Sequence, residues 1–267
     1  MGFQVVSANP RLVWMPVDYG SAGDTLYVGQ LVKSTSDGVA PLGAASGAYD
    51  TTGEASVLGV VVGTNNLNPV YNSTYKAEYI TSVSSQAALA AREFRMVEGP
   101  FGKGDSQAMV QVAIITPDTY VKGQFFNSTF GTAPTAVVCK TQSTTGLGVA
   151  YTAGQADAAS VADNSTLCGR TGANSGIYRI RTDATNSAAV TAVAFPNDVQ
   201  VGDTFGAINC RPIGLSKVQT DTESMFFDSS AALSADYWGI DVISLDLSEA
   251  GKESVVFKFN GTHFDAY

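Results

Sequence analysis

Apolar residues along this chain come in short runs broken by glycine, proline and small polar residues, the pattern of β-strands joined by tight turns. Val57-Leu58-Gly59-Val60-Val61-Val62 predicts a buried strand. Phe94-Arg95-Met96-Val97 and the run Ala108 to Ile115 predict two more, separated by Gly99-Pro100 and Gly102-Lys103-Gly104. Tyr178 to Arg181 and Ala189 to Phe195 flank a polar turn at 183–187. Ile240 to Leu247 alternates in part, and Val255 to Phe259 follows the turn signal Ala250-Gly251-Lys252. Helical text is scarce. Ser84 to Glu93 offers a serine N-cap and an alanine-rich body, and a second short helix is expected near Ser229 to Leu233. Residues 155–175 are small, polar and glycine-containing, which predicts a long exposed loop or linker.

One stretch is written nearly twice. DTLYVGQLVKSTSDGVAP starts at Asp24, and DTYVKGQFFNSTFGTAP starts at Asp118. Asp24/Asp118, Thr25/Thr119, Gly29/Gly123, Gln30/Gln124, Ser34/Ser128 and Thr35/Thr129 match, and Leu31-Val32 faces Phe125-Phe126. Further on, Leu58-Gly59-Val60 faces Leu147-Gly148-Val149. This reads as an internal repeat of a strand, a glycine turn, a second strand and a polar loop. Gly59 and Gly148 are expected to mark a bulge or a close backbone approach. A weaker echo runs from Asp198 to Phe205. The expected fold is mainly β with few short helices: two similar small β-barrel or sandwich-like modules from an internal duplication, plus a β-rich C-terminal region. The corresponding division is 1–92, a module with an N-terminal arm; 93–172, a second similar module with an exposed loop; and 173–267.

With 45% hydrophobic residues the chain can bury real cores, and only 15% of it is charged. The net charge of −9 and the lack of a basic stripe argue against a nucleic-acid partner. No apolar run reaches membrane-spanning length, and the first twenty residues lack the basic and apolar regions of a secretory signal. Synthesis in a cytoplasm is expected. Cys139, Cys168 and Cys210 are far apart and read as buried free thiols. Four sequons, at Asn72, Asn127, Asn164 and Asn260, read as turns and strand ends.

Candidate chemistry is thin. The single histidine, His263, would have to serve any Ser-His-Asp or Cys-His mechanism, and it reads as solvent-facing. Gly99 to Gly104 lacks the Ser/Thr that a phosphate cradle needs after Lys103, and reads as a hairpin turn. Asp221, Glu223 and Asp228 form an acidic loop, TDTESMFFD, that reads as solvated, with calcium or acid catalysis as sharper alternatives. No enzyme activity, metal or cofactor is expected. Trp14 and Trp238 read as core or interface, or as parts of a sugar-binding surface.

Residues 1–17 are apolar but interrupted by Pro10 and Pro16. They read either as a first strand packed on its own module or as an extended arm that adds to a partner's strand edge. Phe3, Val5, Leu12 and Trp14 are the candidate partner contacts, with Trp14 as anchor.

The pattern Val28-Gly29-Gln30-Leu31-Val32, Asp37-Gly38-Val39, Leu58-Gly59-Val60-Val61, echoed by Lys122-Gly123-Gln124-Phe125-Phe126 and Leu147-Gly148-Val149, resembles bacteriophage head decoration proteins, also called cement or auxiliary capsid proteins. The resemblance covers about residues 18 to 152. It implies a non-enzymatic virion protein on the capsid exterior, often a homotrimer, whose partner is the major capsid protein and which clamps neighbouring copies of it. The alternative is a tail- or fibre-associated carbohydrate-binding β protein.

Overall fold

The computed structural model describes residues 2–18, 25–43, 57–81, 94–95, 97, 108–126, 136–138, 148–150, 166–170, 176–185, 188–191, 195, 197, 200, 202–208, 210, 213–228 and 238–259. The protein is all-β over these residues: every regular element among them is a strand, and no helix among them is long and apolar enough to cross a membrane. The two expected helices, the hairpin turn at Gly99 to Gly104, Cys139 and His263 lie outside the described residues. The chain forms two compact units. Unit 1 comprises 1–123, 220–226 and 258–267, and unit 2 comprises 124–219 and 227–257. Both are drawn from separate stretches of chain, whereas the sequence suggested three consecutive segments.

Unit 1 contains β1 (Gln4–Val5), β2 (Leu12–Pro16), β3 (Thr25–Tyr27), β4 (Leu31–Thr35), β5 (Gly38–Pro41), β6 (Gly59–Thr64), β7 (Val70–Asn72), β8 (Ala77–Thr81) and β9 (Met109–Ile114). A strongly curled half-barrel takes the order β2-β9-β6-β4-β5. Its two outer strands meet where Val17 bridges Val39 in parallel and the Asp18 N–H donates to Val39 O at 2.9 Å. Gly38, at φ +145°, makes that closure possible: a Cβ there would run into the Pro16 carbonyl. Met15, Val17, Val32, Val39, Leu58, Val61, Val110 and Val112 fill the core, joined by Leu26 and Ile80 from the second sheet, β3-β8-β7. Consecutive residues are buried along much of β4, β5, β6 and β9, so these strands are covered on both faces rather than on one. Gly59 is a close approach, since a Cβ would meet the Ala113 carbonyl of β9. The bulge itself lies two residues on, between Val61 and Gly63, and turns Val62 outward.

The strand β10 (Val121–Phe126) begins in unit 1, where Gln4 pairs with Lys122 and Val5 with Val121. Unit 2 holds β11 (Ala136–Val138), β12 (Gly148–Ala150), β13 (Thr166–Gly169), β14 (Gly176–Thr185), β15 (Ala188–Thr191) and β16 (Thr204–Ile208) in one sheet of order β11-β16-β13-β14-β15-β12. It also holds most of β17 (Gly214–Thr220), β18 (Phe227–Asp228), β19 (Trp238–Asp246) and most of β20 (Ser254–Phe259). Phe227 packs on Phe125 and Phe257 with ring centroids 5.4 and 5.0 Å apart.

Two expectations change. Residues 166–169 are not linker but β13, paired on both sides, with Cys168 buried. Only Leu167 and Cys168 carry apolar signal there, too little to stand out in a polar stretch. The internal duplication is not seen. Gly29 sits in a turn at φ +93°, whereas its sequence counterpart Gly123 lies inside β10. The turn chemistry recurs elsewhere. The Gln30 N–H donates to Tyr27 O at 3.0 Å while Gln30 Oε1 accepts from the Tyr27 N–H at 2.8 Å. Asp203 closes on Gln200 in the same way, at 3.2 and 3.0 Å, with Gly202 at φ +92°. Cys168 and Cys210 are buried free thiols, as expected.

Candidate interaction cleft

Unit 1 carries a cleft of about 600 Å³, lined by Gly2 to Val5, Val28, Gly29, Val61, Val62, Tyr71 and Lys76 to Glu78. Three local features build it. The bulge of β6 brings Val61 and Val62 to its wall. The β3–β4 turn brings Val28 and Gly29, held because the Gly29 N–H donates to Val61 O at 2.8 Å and the Val61 N–H to Gln30 O at 3.0 Å. The β7–β8 hairpin brings Tyr71 and Lys76. Its turn is capped by Asn72, whose Oδ1 accepts from the Thr74 and Tyr75 N–H groups at 2.8 and 3.0 Å. The sequon at Asn72 is thus a turn, as its sequence suggested.

Phe3 and Val5 are brought together on the cleft wall. Phe3 is fully buried and its N–H donates to Gly29 O at 2.7 Å, while Val5 is half-buried on β1. Leu12 and Trp14 stand apart from the cleft on β2, opposite Ala113 and Gln111 of β9, with Leu12 exposed and Trp14 half-buried. The segment from Gln4 to Pro16 therefore pairs within unit 1, β1 with the start of β10 and β2 with β9.

The acidic loop does structural work. Asp221 Oδ1 accepts from the Met225 and Phe226 N–H groups at 2.7 and 2.8 Å. Burial nevertheless pushes its carboxyl up to about 6, outweighing those two bonds, and the neighbouring Glu223 adds to the rise. Gln30 is fully buried and its Nε2 donates to Glu223 O at 2.6 Å, latching this loop to the β3–β4 turn. Tyr75 lies beside it, 4.7 Å from the Tyr27 ring, and burial with Glu223, Asp221 and Tyr27 nearby pushes its phenol up to about 12. Asp228 belongs to unit 2, at the end of β18. Among the described residues no group of three or more His, Cys, Asp or Glu side chains stands together to hold a metal.

Comparison of the chain with known protein families, curated proteins and solved structures finds no match in any of the three. Among the cleft residues that the sequence did not single out are Val62, Tyr71, Lys76, Ala77 and Glu78. A short apolar triplet, a turn-forming Asn72 and a second strand from Ala77 were the available signal for the hairpin. Nothing in the unbroken run Val60 to Val62 shows which valine turns outward.

Proposed function

We propose that the chain is a non-enzymatic structural protein of a phage virion, a decoration protein. It binds the outer face of the capsid as a homotrimer and stabilises contacts between major capsid proteins. The observation that carries this reading is the cleft itself: Val5, Val28 and Val62 offer a concave, mainly apolar surface over the buried Phe3 and Val61. Such a surface holds a partner by shape and desolvated area and needs no reacting group. The strand–glycine-turn–strand text of Val28 to Val32 supports the same class. The test is to detect the chain by mass spectrometry in purified particles and to locate it by imaging. Density over the capsid exterior is expected. Density confined to the tail, or a chain absent from the particles, overturns the proposal.

One observation favours the carbohydrate-binding alternative. The Tyr71 ring is 67% exposed at the cleft, an aromatic face open to a sugar. A glycan array with the wild-type chain and with Tyr71→Ala decides it: binding lost in the variant supports that reading.

A further inference from the structure

The cleft is bordered by two strand edges with open backbone groups. In β1, the Val6 N–H donates to Tyr120 O, so even-numbered residues face β10 and Val5 faces away from it. In β8, Glu78 O accepts from the Val28 N–H, so Glu78 faces β3 and its neighbours Ala77 and Tyr79 face β7. Tyr71, opposite Glu78, therefore turns its N–H and C=O away from β8. Val5 and Tyr71 both line the cleft, and neither backbone has a hydrogen-bond partner there among the described residues. Between them the lining is Val28, Val61, Val62 and Ala77.

The charges are asymmetric. The Glu78 carboxylate accepts from the Thr64 hydroxyl, whereas Lys76 is exposed at the rim and makes no ion pair among the described residues. Neither side chain is in an ion pair among the described residues, and the more exposed of the two charges at the rim is the cation.

We propose that this cleft takes an extended segment of a partner protein, which adds as a strand along the open backbone edge at Tyr71, sets alternate apolar side chains on the valine floor, and meets Lys76 with a carboxylate. Main-chain pairing supplies the affinity and the alternate side chains the selectivity. A sugar stacked on the Tyr71 ring does not require main-chain pairing at both Val5 and Tyr71, whereas an added strand does. The inference rests on the binding-protein reading above and names the partner chemistry of its cleft.

The probe is a blocked hexapeptide alternating valine and threonine with one central glutamate, titrated into the full chain. A second peptide carries lysine in place of the glutamate. Hydrogen exchange is read at individual amides. The glutamate peptide is expected to slow exchange at Tyr71 and Val5, and to bind about threefold to fivefold more tightly than the lysine peptide. Tyr71→Pro removes the outward N–H without touching the β8 ladder, and should weaken binding about tenfold. Lys76→Glu should reverse the preference between the two peptides. Absence of binding by both peptides at millimolar concentration, binding without protection at Tyr71, or an unchanged affinity in Tyr71→Pro overturns the proposal. So does a neutral oligosaccharide competing the peptide away while leaving those amides exchanging freely. Association with capsids is measured separately. If it persists in Tyr71→Pro, the docking mode fails and the decoration function stands. If wild-type chain binds the peptide but no particle, the reverse holds.

Discussion

The turn from Tyr27 to Gln30 in unit 1 and the turn from Gln200 to Asp203 in unit 2 are closed by the same reciprocal pair of bonds around a glycine at nearly the same φ, +93° and +92°. They differ in the residue that closes them. A carboxylate only accepts, so Asp203 finishes its own turn. An amide accepts and donates, so Gln30 finishes its turn and then donates to Glu223 O, a residue far along the chain. The surroundings of the glycines differ too. A Cβ on Gly29 would sit 2.9 Å from Gly2 Cα, whereas one on Gly202 would meet nothing within 4 Å. The same local device is thus a simple reversal in one unit and a junction of three segments in the other.

The most damaging way to break this comparison is Gln30→Glu. It keeps the acceptor but removes the donor, orphans Glu223 O and places a charge at a fully buried site. Urea unfolding should show a loss of about 4 kcal/mol. A loss below about 1 kcal/mol would mean the latch contributes little.

Paired alanine substitutions come next. Gly29→Ala combines backbone strain with the clash against Gly2 and should cost about 3 kcal/mol, while Gly202→Ala carries strain alone at about 1–2 kcal/mol. Equal costs would show that the tight contact relaxes.

A smaller effect concerns the latched loop. The Asp221 carboxyl titrates near 6 in the fold against an ordinary 3.8. The folded chain then keeps a proton between about pH 4 and 6 that the unfolded chain has released. Stability from this group is therefore full below about pH 4 and falls as pH rises through 6. Asp221→Asn preserves the acceptor for Met225 and Phe226, so it should abolish that slope and gain up to about 2 kcal/mol at pH 7. A slope unchanged in the variant assigns it to other groups.

The smallest effect is at Asp203. Replacement by Ala should cost about 1 kcal/mol, and replacement by Asn, which keeps the acceptor, almost nothing. An Asn variant as damaging as Ala would show that the charge itself matters.

Strands were often legible where several apolar residues ran together: Met109–Ile114, Gly59–Thr64 and Ser254–Phe259 overlap expected runs, whereas in the expected run Phe94 to Val97 Phe94 makes only an isolated bridge to Asn66. Where a strand holds small or polar residues, as in Thr166–Gly169, its identity comes from neighbours on both sides, which a local window does not see. The repeat pointed at a real turn, but the copy that shares its bonding is the weaker echo from Asp198 to Phe205, not the stronger match at Asp118. Matching Gly29 to Gly123 followed residue identity, while the shared bonding connects Gly29 to Gly202 through different side chains. Of the residues lining the cleft, Phe3 and Val5 were singled out because they belong to an apolar run broken by prolines. Tyr71 and Lys76 were not, because their place at the cleft depends on which edge of β7 is open, and register is fixed by distant pairing.

The Val17–Val39 closure bears on how the protein behaves when crowded. A flat sheet with two free margins can recruit further strands indefinitely, and that route leads to fibrils. The five-stranded sheet of unit 1 instead curls until one margin caps the other, with Gly38 set tightly against Pro16. Growth by stacking has nowhere to start at that end, so this sheet is self-limiting. A side chain at Gly38 would pry the margins apart and expose a template for aggregation.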